Sequence, residues 1–348
     1  MRSLPRSIKI MLLVLTVLLA LYPVFGEALA GSKHDYFTQK VTTIMILAIM
    51  ALSLDLLVGV GGMVSVAQAV FFGIAGYTLA LTAPEFAPAN IWVALPMSLL
   101  LAASASLIIG ALIIRTSGIF FIIATIAFSQ MFFYLFHDAP FAGGSDGIYL
   151  MFKPEVSIAG VQLLDLENST TLFYVVFSSM LVVYLLLRTL LRSPFGRVLS
   201  GIKENEIRVS ALGYNPVIYK LVAFVIAGTL SGYAGFLSAT QYGFVNPGDV
   251  SWMLSAHALI MVILGGMGTL FGPILGAFAF EGLQYWYSTI TPHWELPMGF
   301  TVIALVLLLP GGIGGLLLKW ADRRNKPIVQ PAGPDTDKAA PVNEGADL

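Results

Sequence analysis

Apolar runs of about twenty residues follow one another through most of this chain, parted by short segments that hold nearly all of its charge. A helix of ~20 apolar residues crosses the ~30 Å hydrocarbon layer of a bilayer while satisfying its own backbone. Composition agrees, since 57% of the 348 residues are hydrophobic, 11% are charged and the mean hydropathy is +0.87. The expected fold class is all-α, a polytopic transmembrane helical bundle, and a soluble core is a poor alternative.

Ten spans are expected, at about 8–30, 39–58, 65–83, 91–114, 118–137, 171–191, 216–240, 252–267, 272–290 and 298–318. The eighth is short, as a partial or tilted crossing would be. With the N-terminus inside, 15 of the 18 Lys and Arg fall on inside segments, and only Lys33, Lys40 and Lys153 fall outside. The positive-inside rule then puts both termini in the cytoplasm. Arg2, Arg6 and Lys9 precede the first run, but no small-x-small cleavage site ahead of a soluble domain follows it, so it reads as a retained span and not a secretory signal. Residues 1–324 form the membrane domain on this reading. Residues 325–348, rich in Pro, Ala, Gly and Asp, read as a disordered cytoplasmic tail.

Several chemistries are excluded or unsupported. Cysteine is absent, which removes disulfides and thiolate metal sites, and His34, His137, His257 and His293 show no metal-ligand spacing. No GxxxxGK[ST] loop, HExxH or GxSxG occurs, and no carboxylate pair is placed for hydrolysis. Ionisable residues within apolar runs reduce to Asp55, His257 and Glu281, with Glu27 near a membrane edge. Intramembrane charge is expensive and marks candidates for function. Asp55, close to the end of its run, is expected to snorkel or cap. Glu281 either makes a buried interhelical bond or lies along a substrate path.

Small residues recur every fourth position at Gly61, Ser65, Ala69 and Gly73, and again at Gly228 and Gly232, Gly272 and Gly276, and Gly311 and Gly315. On a helix this spacing makes a smooth stripe for close packing, or leaves room for broken helices beside a path. Gly61-Gly62-Met63-Val64-Ser65 and Gly265-Gly266-Met267-Gly268-Thr269 share a GGMx[ST] pattern. Five residues in a glycine-rich chain do not establish a duplication.

The charged stretch from Ser193 to Tyr214, SPFGRVLSGIKENEIRVSALGY, lies between two apolar runs. Gly196 and Gly213 can punctuate its ends. Arg197, Lys203, Glu204, Asn205, Glu206 and Arg208 offer polar groups and both signs of charge, while Val198, Ile202, Ile207, Val209 and Leu212 can pack on a partner or at the membrane interface. The bland alternative is a solvated loop held inside by its basic residues.

Five segments together carry a family resemblance: LDLLVGVGGMVSVAQAVFFGIAGYTLAL from Leu54, RTSGIFFIIATIAFSQMFF from Arg115, FAGGSDGI from Phe141, the 193–214 stretch with Asn215, and MVILGGMGTLFGPILGAF from Met261. In this order, over about residues 40–318, the chain resembles the LivM-like permease subunits of ATP-binding-cassette importers for branched-chain amino acids. The family pattern has a Gly-Glu pair where this chain has Ala256-His257, a departure that bears on the substrate and not on the family.

The resemblance implies a non-catalytic permease subunit in a bacterial inner membrane. Its partners would be a homologous permease, two ATPase subunits that bind ATP and Mg, and a periplasmic or extracellular binding protein. No cofactor is expected in this chain, and no nucleic acid. The resemblance makes 193–214 the cytoplasmic segment that couples to the ATPase. The outer loop 138–170, with Gly144, Ser145 and Asp146, is either a docking surface for the binding protein or a lid on the bundle. Ser65, Gln68 and Tyr77 are polar groups in apolar helices, where they either meet substrate or bond between helices. Other readings are a related importer for urea, short amides or other amino acids, or an ion-coupled secondary transporter.

Overall fold

The computed structural model describes residues 6–30, 33–84, 86–158, 161–309 and 311–325. The expected tail therefore lies outside the described residues except for Asn325, as does Arg2. Within the described residues the chain is built from helices: α1 (Arg6–Ala30), α2 (His34–Asp55), α3 (Gln68–Thr82), α4 (Ile91–Ile113), α5 (Ile119–Asp138), α6 (Ser169–Arg192), α7 (Pro194–Glu204), α8 (Glu206–Ala211), α9 (Pro216–Tyr242), α10 (Trp252–Gly265), α11 (Gly272–Ile290), α12 (Glu295–Leu308) and α13 (Gly312–Asn325). Four short strands, β1 (Ile148–Tyr149), β2 (Val156–Ile158), β3 (Val161–Leu164) and β4 (Phe244–Val245), lie at one end of the bundle.

Side chains at the helix starts explain several of these boundaries. Asn90, Asn168, Asn215 and Ser251 each accept a hydrogen bond from the backbone amide two residues on, at 2.9, 2.9, 3.1 and 3.3 Å, and so cap α4, α6, α9 and α10. Six helical stretches are long and apolar enough to span a bilayer: 34–60, 91–113, 119–138, 169–192, 216–242 and 295–318. α3 and α10 are shorter. Their 15 and 14 residues rise only about 21–23 Å at 1.5 Å per residue. The expected third span is short because 61–67, which is apolar enough to count in a hydropathy run, is not helical. The expected tenth span is also not one helix. It divides between α12 and α13, where the sequence reads Pro310-Gly311-Gly312.

α2 is the axis of the bundle. Every residue from Ala48 to Leu57 is buried, so this helix has no lipid-facing side there. α9 packs across α2, α3 and α4, while α10 and α11 pair with each other and close against α2. α1 stands at the rim, where it leaves an apolar cavity of about 420 Å3 against α6 and α11.

The small-residue stripes hold in part. A Cβ on Gly228 would lie 2.5 Å from the Ser106 Cβ, and one on Gly232 would lie 2.5 Å from the Ala102 Cβ, so α9 and α4 approach closely along that pair. Gly276 lies against the Met261 carbonyl and the Gly265 amide of α10. The first stripe does not exist as one face, because Gly61 and Ser65 precede α3 and only Ala69 and Gly73 belong to it. A Cβ on Gly315 would meet nothing, and the close contact here is with Gly266, whose own Cβ position lies 2.5 Å from the Gly311 carbonyl oxygen and whose amide lies 2.5 Å from the Cβ position of Gly312.

The close approach of α10 and α11 makes a testable difference between glycines on one helix. Gly276→Leu should cost about 1–3 kcal/mol of stability through overpacking, read as a lowered melting temperature in detergent. Gly282→Leu, with open space at its Cβ position, should melt as the parent does. Equal melting of both variants would remove the packing argument.

Candidate functional site

After Asp55 the helix widens into a π turn at Leu56–Val60, and the backbone then runs unwound to Ala67 before α3 begins. Unwound backbone among apolar side chains needs partners for its amides and carbonyls. For this stretch and for the first turn of α3 they come from hydroxyls on three other helices. Val66 donates its amide to Thr125 Oγ1 of α5 at 3.2 Å, and Ser129 of the same helix donates to the Val66 carbonyl at 2.8 Å. The Ala69 amide donates to Ser255 Oγ of α10 at 2.8 Å, and Ser231 Oγ of α9 donates to the Gln68 carbonyl at 2.8 Å. All four hydroxyl residues are fully buried.

A second break separates α10 from α11, and it holds the other GGMx[ST] segment. Thr269 Oγ1 donates to the Gly266 carbonyl at 2.8 Å and accepts from the Gly272 amide at 3.1 Å, which staples this break locally. The two breaks touch. Gly268 donates its amide to Asp55 Oδ1 at 2.7 Å, and Gly59 has no room for a Cβ between Asp55 and Gly268. Of the two expectations for Asp55, to snorkel or to cap, its 0% exposure rules out the first, and its carboxylate instead accepts a backbone amide of the second break.

The 193–214 stretch forms α7 and α8, divided at Asn205, whose side chain accepts the Arg208 amide at 2.9 Å and caps α8. Amphipathic division is sharp here. Leu199, Ile202 and Val209 are buried, while Ile207 and Leu212 are 82% and 72% exposed beside exposed Glu204, Asn205, Glu206 and Arg208. Arg197 is exposed as well. Gly213 takes a left-handed φ of 88° that closes α8. Gly196 does not punctuate an end. It lies inside the first turn of α7, buried against the Leu191 backbone. Lys203 departs from its polar neighbours, because its ammonium donates to the Gly59 carbonyl at 2.7 Å. Around it lies a cavity of about 240 Å3, between the first break, the α4–α5 turn and the Lys220–Glu206 ion pair of 2.6 Å.

At the opposite end the 138–170 loop is folded rather than loose. β1 pairs with β4 in antiparallel register, Ile148 opposite Val245 and Tyr149 opposite Phe244, and β2 pairs with β3. Gly144, Ser145 and Asp146 form a single tight turn, in which Ser145 Oγ donates to Asp146 Oδ1 at 3.2 Å and both side chains face out. The pairing with β4 seats the loop over the bundle, and the exposed turn and Tyr149 leave it a surface.

The expected path residues are not gathered into one cluster. Ser65 is buried in the first break, where its hydroxyl accepts the Ala67 amide at 3.3 Å. Gln68 and Tyr77 are buried on α3, nine residues apart and so on opposite faces at 3.6 residues per turn. The Gln68 amide and the Tyr77 hydroxyl have no hydrogen-bond partner among the described residues. Tyr77 stacks on Phe136 with centroids 4.4 Å apart. Glu281 is half-buried on α11, which packs chiefly on α10 and α2. His257 sits between Phe280 and Trp294. Sequence reasoning missed Thr125, Ser129, Ser231 and Ser255. Their signal was present as isolated hydroxyls in apolar runs, but nothing in the order of residues says which break they reach.

Comparison with known proteins follows the same segments. Residues 36–310 match the family described as branched-chain amino acid transport system, permease component. The high-affinity branched-chain amino acid transport system permease protein LivM of Escherichia coli (strain K12) is 29% identical over 83% of this chain and 70% of its own length. LivH of the same organism is 29% identical over 41% of this chain and 46% of its own. The autoinducer 2 import system permease protein LsrC of Photorhabdus luminescens is 27% identical over 43% and 47%. No solved structure matches.

Asp249 lies in the turn between β4 and α10, outside the spanning helices, and its carboxylate accepts the Asn246 amide at 3.1 Å. Burial pushes this carboxyl up to about 6, with the Asn246 bond a smaller opposing effect. A folded-state value above the unfolded value of ~4 means that the group supports folding when protonated. Its contribution is full below the unfolded value and is lost as pH rises through about 6. Asp249→Asn keeps an oxygen for the Asn246 amide without the buried charge. The variant should melt about 2–4 °C higher than the parent at neutral pH and level with it under acid conditions near the unfolded value, and an unchanged difference across that range would refute the assignment.

Proposed function

The chain belongs to the family of branched-chain amino acid transport system permease components, and on that premise we propose that it forms one half of the membrane path of an ATP-binding-cassette importer for branched-chain amino acids. It is a multi-pass inner-membrane protein. Energy comes from ATP hydrolysed by two partner ATPase subunits, and the second half of the path is a homologous permease. This chain itself binds no ATP and catalyses nothing.

The observation that carries the reading is the surface of α7 and α8. Ile207 and Leu212 project into solvent among charges of both signs, on a segment that sits between two spanning helices and reaches the first helix break through Lys203. Exposed aliphatic anchors ringed by polar groups are the make-up of a protein interface core and rim. The ATPase docks there, on Arg197, Lys203, Glu204, Asn205, Glu206, Arg208 and Gly213, with buried Gly196 supporting the fold of α7. The full reading keeps ten crossings with short ones at α3 and α10, a membrane domain to residue 324, and both termini inside. A binding protein docks at the other end, near Gly144, Ser145 and Asp146. Substrate passes along the polar groups Ser65, Gln68, Tyr77 and Glu281.

A second substrate class stays in view because His257 stands where the family pattern has an acid, against Phe280 and Trp294. It is a related importer for urea, short amides or other amino acids, and competition by leucine, glutamate and urea in reconstituted uptake separates the two.

Two predictions follow from this reading. A single cysteine placed at Lys338 should resist an impermeant thiol reagent added from outside while one at Glu155 should react, and labelling at Lys338 would overturn the orientation. Ile207→Asp should weaken ATPase association by about 2 kcal/mol or more, as loss of an interface anchor does. Glu204→Lys should do the same through charge reversal. Pull-down of the ATPase subunits and ATP-driven uptake are the readouts, and wild-type values in both variants would leave 193–214 as an ordinary loop.

A further inference from the structure

Lys203 and Asp55 link three parts of the chain that are far apart in sequence. The Lys203 ammonium, at the end of α7, donates to the Gly59 carbonyl at 2.7 Å. That carbonyl belongs to the last turn before the first break, where helix carbonyls lose their own partners and favour a cation. One turn earlier on the same helix, Asp55 Oδ1 takes the Gly268 amide of the second break at 2.7 Å. We propose that Lys203, Gly59, Asp55 and Gly268 form a polar clasp that carries movement of α7 and α8 to both helix breaks, with Lys203 and Asp55 as its positioning residues. The inference rests on the importer reading and ties Lys203 of the docking segment to Gly59, Asp55 and Gly268, which the docking surface does not contain.

Four observations support transmission over mere charge satisfaction. An exposed lysine at the end of a solvated helix has water available, yet this one turns inward to a backbone carbonyl of another element. The approach is built for it, since a Cβ on Gly62 would lie 2.9 Å from the Lys203 Cγ, and Gly62 has a left-handed φ of 70°. Next to the clasp lies the cavity of about 240 Å3, lined on one side by Gly61 to Val64 and on the other by Ile202 and Lys203. The two sides can therefore shift against each other without overlap. Among the described residues Asp55 Oδ2 makes no close hydrogen bond, and the Leu270 amide of the second break lies near the same carboxyl, so a second donor is at hand for another arrangement.

The test uses the assembled importer in proteoliposomes with leucine as the transported probe, and measures leucine taken up per ATP hydrolysed. Lys203→Met keeps the length of the side chain without the ammonium. It should lower that ratio by about ten-fold, within the range of coupling energies between sites, and Lys203→Arg should restore most of it. Loss of docking alone lowers uptake and hydrolysis together and leaves the ratio unchanged, so an unchanged ratio in Lys203→Met overturns the clasp, as does failure of Lys203→Arg to rescue. Should Lys203→Met not assemble, Asp55→Asn decides the matter. Its neutral amide oxygen is a weaker acceptor for the Gly268 amide than the carboxylate, and the attraction to Lys203 is gone, so the clasp is loosened at both ends; a lowered ratio supports it and a wild-type ratio refutes it. A parent complex with no ATP-driven uptake of leucine would instead bring down the importer reading, and the clasp with it.

Discussion

A carboxyl group withdrawn from water must be met by donors, and Asp55, fully buried in the middle of the bundle, is the group whose needs shape its surroundings most. It lies at the end of α2, a helix buried on every side over its second half. The Gly268 amide comes to it from the far end of the chain. For that amide to arrive, α10 must stop at Gly265 and the backbone must turn away, and residue 59 must carry no side chain. The glycine-rich breaks are therefore tied to a single acidic group as much as to close helix packing.

The two GGMx[ST] segments turn out to share a role in the fold. Each follows a helix that ends at the same side of the bundle, each precedes a helix that returns, and the two face each other across Asp55 and Gly59. They differ in how the freed backbone is held. The first relies on hydroxyls from other helices, and the second relies on its own Thr269 and on Asp55. The first break is thus coupled to α5, α9 and α10, and the second to α2.

Much of the architecture was legible in the residues. Hydropathy located the long helices, and the spacing of Gly228 and Gly232 anticipated a close helix contact, which the structure places on α4. What hydropathy did not resolve was where a run stops being helical. Gly61 to Ala67, and Leu309 and Gly311 near the start of α13, fall within runs apolar enough to extend a span in a sliding sum, although their backbones leave the helix. At 193–214 the charge pattern marked a surface, but it did not separate Ile207, which faces out, from Ile202, which faces in. Lys203 was legible as a charge and not as a tether, because its partner is a carbonyl, and a carbonyl leaves no trace in the choice of amino acid at Gly59 beyond the need for a small one.

Thr125, Ser129, Ser231 and Ser255 have a further consequence for biogenesis. A hydroxyl lowers the tendency of its own helix to enter the bilayer from the translocon, and alanine at each position would make that entry easier. The same alanines would leave the amides of Val66 and Ala69 and the carbonyl of Gln68 without those donors and acceptors. Insertion and folding therefore place opposite demands on these four positions. Selection for fast, clean insertion alone would erase the groups that let the first break exist among apolar helices.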